Sequence, residues 1–440
     1  MIAPMFLFVS SDQADDRITS SGLDRECSAN GFRLFWKEDE ALIIEHTRSS
    51  LSISLKDENA VVAPEIFFWA LGGDEVRLFR PWPGAVTLYA VGTRSLFVST
   101  HLRFAAAAGL SLTPMPYSLD PGRKISIDLT TRSIADGGRV QQFDDPPPYT
   151  IEDAAGSLRA ALDNVVGRLP AASVLLLSGG IDSAALAVCA APRQFPALTW
   201  TLTSPKAGRR FEDDAAAARL VADHCKLEHS IVQLEESQFE RDIDAAILLS
   251  EMRRGTFIDD AVVYVQIARG LRRQGIRSVI IGEAADDAFG CLPMNLRYYQ
   301  DQQLSQRLLH DLTVGAPADH AAIRKIFAHF GIDIVDPYLA CDVARIGASL
   351  PLDMRVDAGR LMKPVLRTAF RHDLPPNVVL RRKHVSRDVS GVKEAMARLF
   401  GNDRERFLER YNKLFKERDA ARSQESVLAE LNEDLSMILS

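Results

Sequence analysis

Val174-Leu175-Leu176-Leu177-Ser178-Gly179-Gly180-Ile181-Asp182-Ser183 is the stretch whose reading decides the fold. Four consecutive branched apolar residues closed by a glycine pair read as a strand buried on both faces, followed by a tight turn into a helix. The same alternation continues outward. Upstream, Thr150 stands where it can cap a helix whose apolar positions Ile151, Ala155, Leu158, Leu162, Val165 and Leu169 follow the helical repeat. Downstream come a strand at Ala197-Leu198-Thr199-Trp200-Thr201-Leu202, a helix from Glu212 to Cys225, a strand at Ser230-Ile231-Val232, and, after a further helix, a strand at Ser278-Val279-Ile280-Ile281. Strands alternating with helices imply a doubly wound parallel sheet, an α/β fold covered on both faces. From about residue 300 onward the periodicity is helical, ending in an amphipathic segment that carries Leu428, Leu431, Leu435 and Ile438.

Ahead of this region the stretch Asp144-Asp145-Pro146-Pro147-Pro148-Tyr149 is stiff and polar, and neither a helix nor a central strand would tolerate it. It divides the chain into an expected N-terminal domain, 1–143, and an expected second domain, 150–440. The first domain shows short runs rich in Val, Phe and Leu separated by turn residues: Met1 to Val9, Ala41-Leu42-Ile43-Ile44, Leu51-Ser52-Ile53-Ser54-Leu55, Val86-Thr87-Leu88-Tyr89 and Leu96-Phe97-Val98-Ser99. Such runs predict a β-rich α+β domain.

At 440 residues, with 47% apolar and 25% charged residues, the chain is ordinary for a soluble globular protein and long enough for two or three cores. A net charge of −7 argues against a nucleic-acid surface, which needs a basic face. No window reaches the roughly 18 apolar residues of a membrane span, and the N-terminus lacks the leading basic residues of a secretory signal. The five cysteines, Cys27, Cys189, Cys225, Cys291 and Cys341, form no paired motif, which argues against a thiolate metal site and suits a reducing cytoplasm.

Three segments carry chemistry. In Ser178 to Ser183, the glycines bare backbone N–H groups to phosphate oxygens, the two serine hydroxyls add donors, and the helix that follows points its positive end at an anion. The loop has no lysine, so it differs from the Walker arrangement; a pyrophosphate cradle suits cleavage between the α and β phosphates instead. Asp182 beside phosphate needs a cation between them and is a Mg²⁺ ligand candidate. A glycine turn with capping residues is the plain structural alternative. The second segment, Gly282-Glu283-Ala284-Ala285-Asp286-Asp287-Ala288-Phe289-Gly290, follows another strand end, where ligands of open α/β sheets bind. Asp286 could complete the Mg²⁺ site and Glu283 could take a proton from an attacking amine, although an acidic helix start on the surface would read the same way. The third, Arg381-Arg382-Lys383-His384-Val385-Ser386-Arg387-Asp388-Val389-Ser390-Gly391, is basic; it offers Lys383 as a fixed cation for developing phosphate charge, or simply a solvated face.

In this order the three segments resemble the synthetase domain of the asparagine synthetase family, whose loop reads SGGLDS, whose acidic segment reads GEGADELFGG and whose late segment reads RxKxxxxDGxG. Further likenesses are Phe211 to Asp214, Glu228-His229, Gly331 to Leu339, and Lys363-Pro364-Val365-Leu366-Arg367, similar to the family's KxxLR. Val389 and Ala284 stand where that family has glycines, and the match covers roughly residues 150 to 400. The resemblance implies an ATP-pyrophosphatase domain. It implies ATP contacts at Leu177, Ser178, Gly179, Gly180, Asp182, Ser183, Leu202 and Gly282, Mg²⁺ at Asp182 and Asp286, a general base at Glu283 and a charge-stabilising Lys383. Residues Ser95 to Gly109 and Leu119 to Gly122 weakly resemble the closing strands of that family's glutaminase domain, a β-rich sandwich. Glutaminase action needs a cysteine as the exposed N-terminal residue; position 2 is Ile2, so this domain reads as a degenerate one.

Without that cysteine the chain resembles the lactam-forming branches, whose substrate carries both carboxylate and amine. The expectation is an AMP-forming carbon–nitrogen ligase of specialised metabolism nearest to β-lactam synthetases, although Glu283 stands where those enzymes carry a tyrosine. Lasso-peptide macrolactam cyclization and ammonia-dependent asparagine synthesis are the alternatives within the family. A tRNA-modifying ATP-pyrophosphatase predicts a basic surface, and a nucleotide-binding regulator predicts loss of Asp182, Glu283, Asp286 or Lys383; the sequence has neither feature. The expected partners are a small-molecule or peptide substrate and neither nucleic acid nor membrane; a homodimer is left open.

Overall fold

A computed structural model gives the arrangement of the chain. It describes residues 6–10, 25–29, 32–36, 42–46, 50–55, 68–72, 75–80, 82, 89–92, 95–108, 110, 112, 117–128, 130–131, 133–139, 147–148, 150–203, 212–290, 301–355, 362–382, 391–400, 405–417 and 419–439. The contacts divide the chain into two compact units. One comprises Met1–Gln142, Asp244–Gly255 and Asp403–Ser440; the other comprises Phe143–Ile243 and Thr256–Asn402.

The first unit holds twelve described strands: β1 (Phe6–Ser10), β2 (Arg25–Ala29), β3 (Phe32–Trp36), β4 (Leu42–His46), β5 (Ser50–Leu55), β6 (Phe68–Gly72), β7 (Glu75–Phe79), β8 (Tyr89–Gly92), β9 (Ser95–Ser99), β10 (Tyr117–Ser118), β11 (Arg123–Asp128) and β12 (Ile134–Arg139). They form two six-stranded antiparallel sheets, ordered β10-β8-β9-β1-β3-β2 and β12-β11-β7-β6-β5-β4. Alternation sets the register: Val76 and Leu78 of β7 lie opposite Ile127 and Ile125 of β11, and all four are buried. The strand read at Val86 to Tyr89 begins at Tyr89, and Val86 to Leu88 lie outside the described residues.

Two later segments group with this unit rather than with the rest of the expected 150–440 domain. The helix Leu102–Ala107 packs on helices Glu405–Phe415 and Ala420–Leu439. Arg103 donates its backbone N–H to Glu251 Oε1 at 3.1 Å. The amphipathic C-terminal segment is thus a packed helix whose Leu431 is buried.

The second unit is built on a five-stranded sheet, all parallel, with strands β13 (Ser173–Leu176), β14 (Ala197–Thr203), β15 (His229–Glu235), β16 (Ser278–Ile280) and β17 (Asp333–Val335) in the order β15-β14-β13-β16-β17. The preceding helix, Ile151–Gly167, starts where Thr150 accepts the Asp153 N–H at 3.1 Å. Its buried stripe is Ala154, Ala155, Leu158, Leu162, Val165 and Val166. Each of the larger four stabilises the unit by roughly 1.5–3 kcal/mol. Across β13 and β16 the buried hydroxyls of Ser173 and Ser278 satisfy one another at 2.8 Å.

Strand β17 interrupts a region expected to be helical from residue 300 onward. With three residues it is shorter than one helical turn, so neither period can declare itself; pairing with β16 makes it a strand.

Candidate active site

The chain order β13, β14, β15 runs outward to one edge of the parallel sheet, then returns to place β16 on the other side of β13. The loops leaving β13 and β16 therefore start at neighbouring strand ends, at the point where the winding reverses, the usual ligand crevice of such sheets.

The β13 loop turns at Gly179, whose φ is +74°. A Cβ there would stand 2.4 Å from the backbone nitrogen of Ala218, so only glycine lets the loop lie against the helix Glu212–Cys225. Gly180 is the N-cap residue of helix Ile181–Ala190 and supplies no side-chain cap. The serines brace the turn: Ser183 Oγ accepts the Ser178 N–H at 3.0 Å and lies 3.0 Å from Ser178 Oγ. Asp182, expected within the loop, is instead in the first turn of this helix and is 6% exposed.

On the other side, Glu283 is exposed just beyond β16, and Asp286 lies in the first turn of the short helix Ala285–Phe289. Gly282 faces Leu186 and Tyr338, which a Cβ would approach to 3.2 and 3.3 Å. Asp336 underpins this loop: fully buried, it accepts the Ala284 N–H at 2.8 Å and the Tyr338 N–H at 3.0 Å. Burial raises its carboxyl to about 7, against the opposing pull of those two N–H groups. Burial, then the adjacent Asp286 charge, likewise pushes Asp287 well above the usual carboxylate range.

The two candidate metal ligands converge. The ammonium of Lys363 is 2.5 Å from Asp182 Oδ1 and is ion-paired with Asp286 Oδ1, so both carboxylates aim at one point. Lys363 is 1% exposed. Tyr338 ties the two halves together, its hydroxyl donating to the Asp182 carbonyl at 2.8 Å.

The late basic segment reaches the same place through its first residue. Arg381 donates to the Gly179 carbonyl at 3.1 Å. The buried Arg367 guanidinium gathers the carbonyls of Met362 (2.6 Å), Val379 and Arg381 (3.1 Å), fixing the start of the basic segment beside the strand-end crevice. Lys383 lies outside the described residues. Leu202 occupies β14, in register with Leu234 of β15.

Three participants went unread in the sequence. In the sequence, Lys363 stands out only as part of its KxxLR likeness. Tyr264, in helix Gly255–Arg273, donates its hydroxyl to Glu283 Oε1. Burial foremost, then the Glu283 charge, holds that phenol well above its ordinary value, so it stays protonated and able to donate. Asp336 likewise read as part of a likeness rather than as a support.

Chemically, this arrangement offers a glycine turn and a helix N-terminus for an anion, two carboxylates that converge on one cation, and an exposed carboxylate on the adjoining loop. Among the described residues no group of three His, Cys, Asp or Glu could hold a metal. An ion on Asp182 and Asp286 would therefore draw its remaining ligands from phosphate and water, a donor set that suits Mg²⁺. No described helix is long and apolar enough to cross a membrane.

The pattern of the family described as asparagine synthase matches residues 157–317 and 299–434. The chain is 28% identical to asparagine synthetase [glutamine-hydrolyzing] of Bos taurus over 58% of its own length and 46% of that protein's. It is 25% identical to carboxyethyl-arginine beta-lactam-synthase of Streptomyces clavuligerus, over 74% of this chain and 65% of the other. A solved NMN synthetase from Francisella tularensis superposes on 60% of the chain and 92% of its own, at 18% identity with a TM-score of 0.29, too slight a likeness to bear on fold or function. The chain thus spans about half the length of the asparagine synthetases it matches. With the family pattern running across more than half of its residues, through both strand-end loops and Lys363, the chain belongs to the asparagine synthase family.

Proposed function

We propose that the protein is an ATP-dependent, AMP-forming amide ligase. The observation that carries this reading is the convergence of Asp182 and Asp286, from the first turns of the helices that follow the two loops at the winding reversal, on a single point beside the glycine turn. ATP would lie with its phosphates along Ser178 to Ser183 and its α-phosphate toward the acidic loop. A substrate carboxylate oxygen attacks the α-phosphorus, the bond to the β-phosphate's bridging oxygen breaks, and pyrophosphate leaves. The amine then bonds to the acyl carbon as AMP departs with the electron pair of the broken carbon–oxygen bond. Magnesium held by Asp182 and Asp286 would supply charge neutralisation for the phosphates. Glu283, held in place by Tyr264, takes the amine proton, and Lys383 balances the growing phosphate charge.

The amine is read as part of the same substrate, giving a lactam in specialised metabolism. What favours this over free ammonia is coverage: the match to the beta-lactam-synthase extends over 74% of the chain, against 58% for the bovine asparagine synthetase. Incubation with ATP and candidate amino-carboxylates, followed by mass spectrometry for loss of one water and for AMP, tests the reading. Asparagine from aspartate and ammonium would overturn the lactam step, and unchanged pyrophosphate release by Asp182→Ala would overturn the site.

A further inference from the structure

We infer that Lys363 is an internal counter-ion that occupies the divalent-cation seat between Asp182 and Asp286 and gives it up when metal and nucleotide arrive together. The inference rests on the ligase reading for the identity of the incoming metal–nucleotide pair.

The charges come first. Two carboxylates aimed at one buried point repel each other unless a cation stands between them. Lys363 supplies it, 2.5 Å from Asp182 and paired with Asp286, with its side chain closed off from water. An ammonium and a magnesium ion cannot both hold the same oxygens, because like charges at contact distance repel strongly in a site closed off from water. Metal entry therefore requires the ammonium to leave.

The backbone of Lys363 is pinned. It has a left-handed conformation, φ 62° and ψ 50°, unusual for a residue with a side chain. Its N–H donates to the Arg355 carbonyl at 3.0 Å and its carbonyl accepts the Arg367 N–H at 3.0 Å. Arg355 is in turn held by the carbonyls of Leu350, Gly347 and Ala288, the last belonging to the helix that carries Asp286. Gly290 completes the fit: a Cβ there would lie 2.7 Å from the Arg355 carbonyl oxygen and 3.2 Å from the Lys363 nitrogen. With the main chain fixed at both ends, the four-carbon stem is the part free to swing.

A free metal ion arriving alone would expel a buried ammonium with no anion to receive it. Arriving with a triphosphate, it brings that anion. Free divalent cation should accordingly bind weakly, and metal and nucleotide should bind cooperatively.

The test is Mn²⁺ binding to the full chain, followed by the loss of the free-ion electron paramagnetic resonance signal, for the wild type and Lys363→Met. Methionine keeps the stem and removes the charge. Without nucleotide, the variant should bind Mn²⁺ at least roughly tenfold more tightly than the wild type, and the cooperativity between Mn²⁺ and ATP should shrink. Equal or weaker Mn²⁺ binding by the variant overturns the inference. If the variant unfolds in metal-free buffer because its carboxylates repel, millimolar Mn²⁺ should restore its thermal transition, and failure to restore it counts equally against. Pyrophosphate release by the wild type is measured separately. Normal release with unmoved Mn²⁺ affinity sinks this inference alone; tighter Mn²⁺ binding with no release from any substrate sinks the ligase reading alone.

Discussion

Gly179→Ala and Gly156→Ala are the same chemical change with opposite expected signs. At Gly179 the added methyl would be 2.4 Å from the Ala218 nitrogen, 2.5 Å from the Ala217 carbonyl carbon and 2.7 Å from the Ala217 Cβ, on a backbone with φ +74°. Ordinary carbon contacts begin near 3.5 Å, so about 1 Å of movement is needed. The helix carrying Ala217 is anchored by the fully buried Ala218, Val221 and Ala222 and resists moving. The left-handed backbone costs alanine about 1–2 kcal/mol and the overpacking roughly 1–3 kcal/mol, together roughly 2–5 kcal/mol. Gly156 sits exposed inside helix Ile151–Gly167 with nothing within 4 Å of its Cβ position, and alanine there should stabilise by about 0.5–1 kcal/mol. Urea unfolding of both variants and calorimetry of ATP binding read the outcome. Should the loop yield rather than the helix, stability falls less, but the carbonyl that Arg381 holds moves and ATP affinity drops. A Gly179→Ala protein with wild-type stability and wild-type ATP affinity would refute the claim that this turn must lie against the helix.

Tyr264→Phe removes the donor that orients Glu283; kcat should fall by about tenfold with the KM for ATP little changed, against the 10²–10⁴-fold loss expected of Glu283→Gln, both read by pyrophosphate release. Arg367→Lys cannot reach three carbonyls at once and should cost roughly 2–5 kcal/mol by leaving buried acceptors unpaired, measured by chemical denaturation. Asp336 gives a pH signature. Its carboxyl stays protonated in the folded protein up to about 7, whereas in the unfolded chain it ionises near 3.9, so wild-type stability declines as pH rises between those values and is flat above them. Asp336→Asn cannot ionise, but its amide turns an N–H toward one of the two backbone donors at a cost of about 1–3 kcal/mol. The variant should thus be the less stable at pH 4.5 and should close or reverse the gap by pH 8. A stability difference that does not change with pH would contradict this reading of Asp336.

How much of this was legible depended on the range over which each feature is encoded. Strand β13 announces itself because Val174 to Leu177 are four apolar residues in a row, closed at once by the Gly179-Gly180 turn. The helix Glu212–Cys225 likewise follows from its own repeat. Strand β17 is too short to show a period. Tyr264 lies among Ala261, Val262, Val263 and Val265, all buried, and by pattern is one more core residue; its hydroxyl acquires meaning only once the β16 loop is seen above it. The grouping of Asp244–Gly255 with the N-terminal unit has no local signature either, since it depends on the partners Arg103 and Arg410.

Lys363 is the limiting case, because its meaning is set by strand order. The residue is 181 positions from Asp182, and a lysine before Pro364 reads locally as nothing more than the approach to a helix. The two carboxylates are partners because β13 and β16 are neighbours while their connections run toward opposite edges of the sheet, one through helix Ile181–Ala190 to β14 and the other toward β17. A crevice opens where the two windings part, and the first turns of both following helices look into it. Had β16 been laid down beside β15, every motif in the sequence would stand unchanged, yet Asp182 and Asp286 would be separated by the width of the sheet and Lys363 could not touch both. The chemistry proposed here is thus written in short motifs, but it is the reversal of winding at β13 that turns two acidic residues and a lysine into a single cation seat.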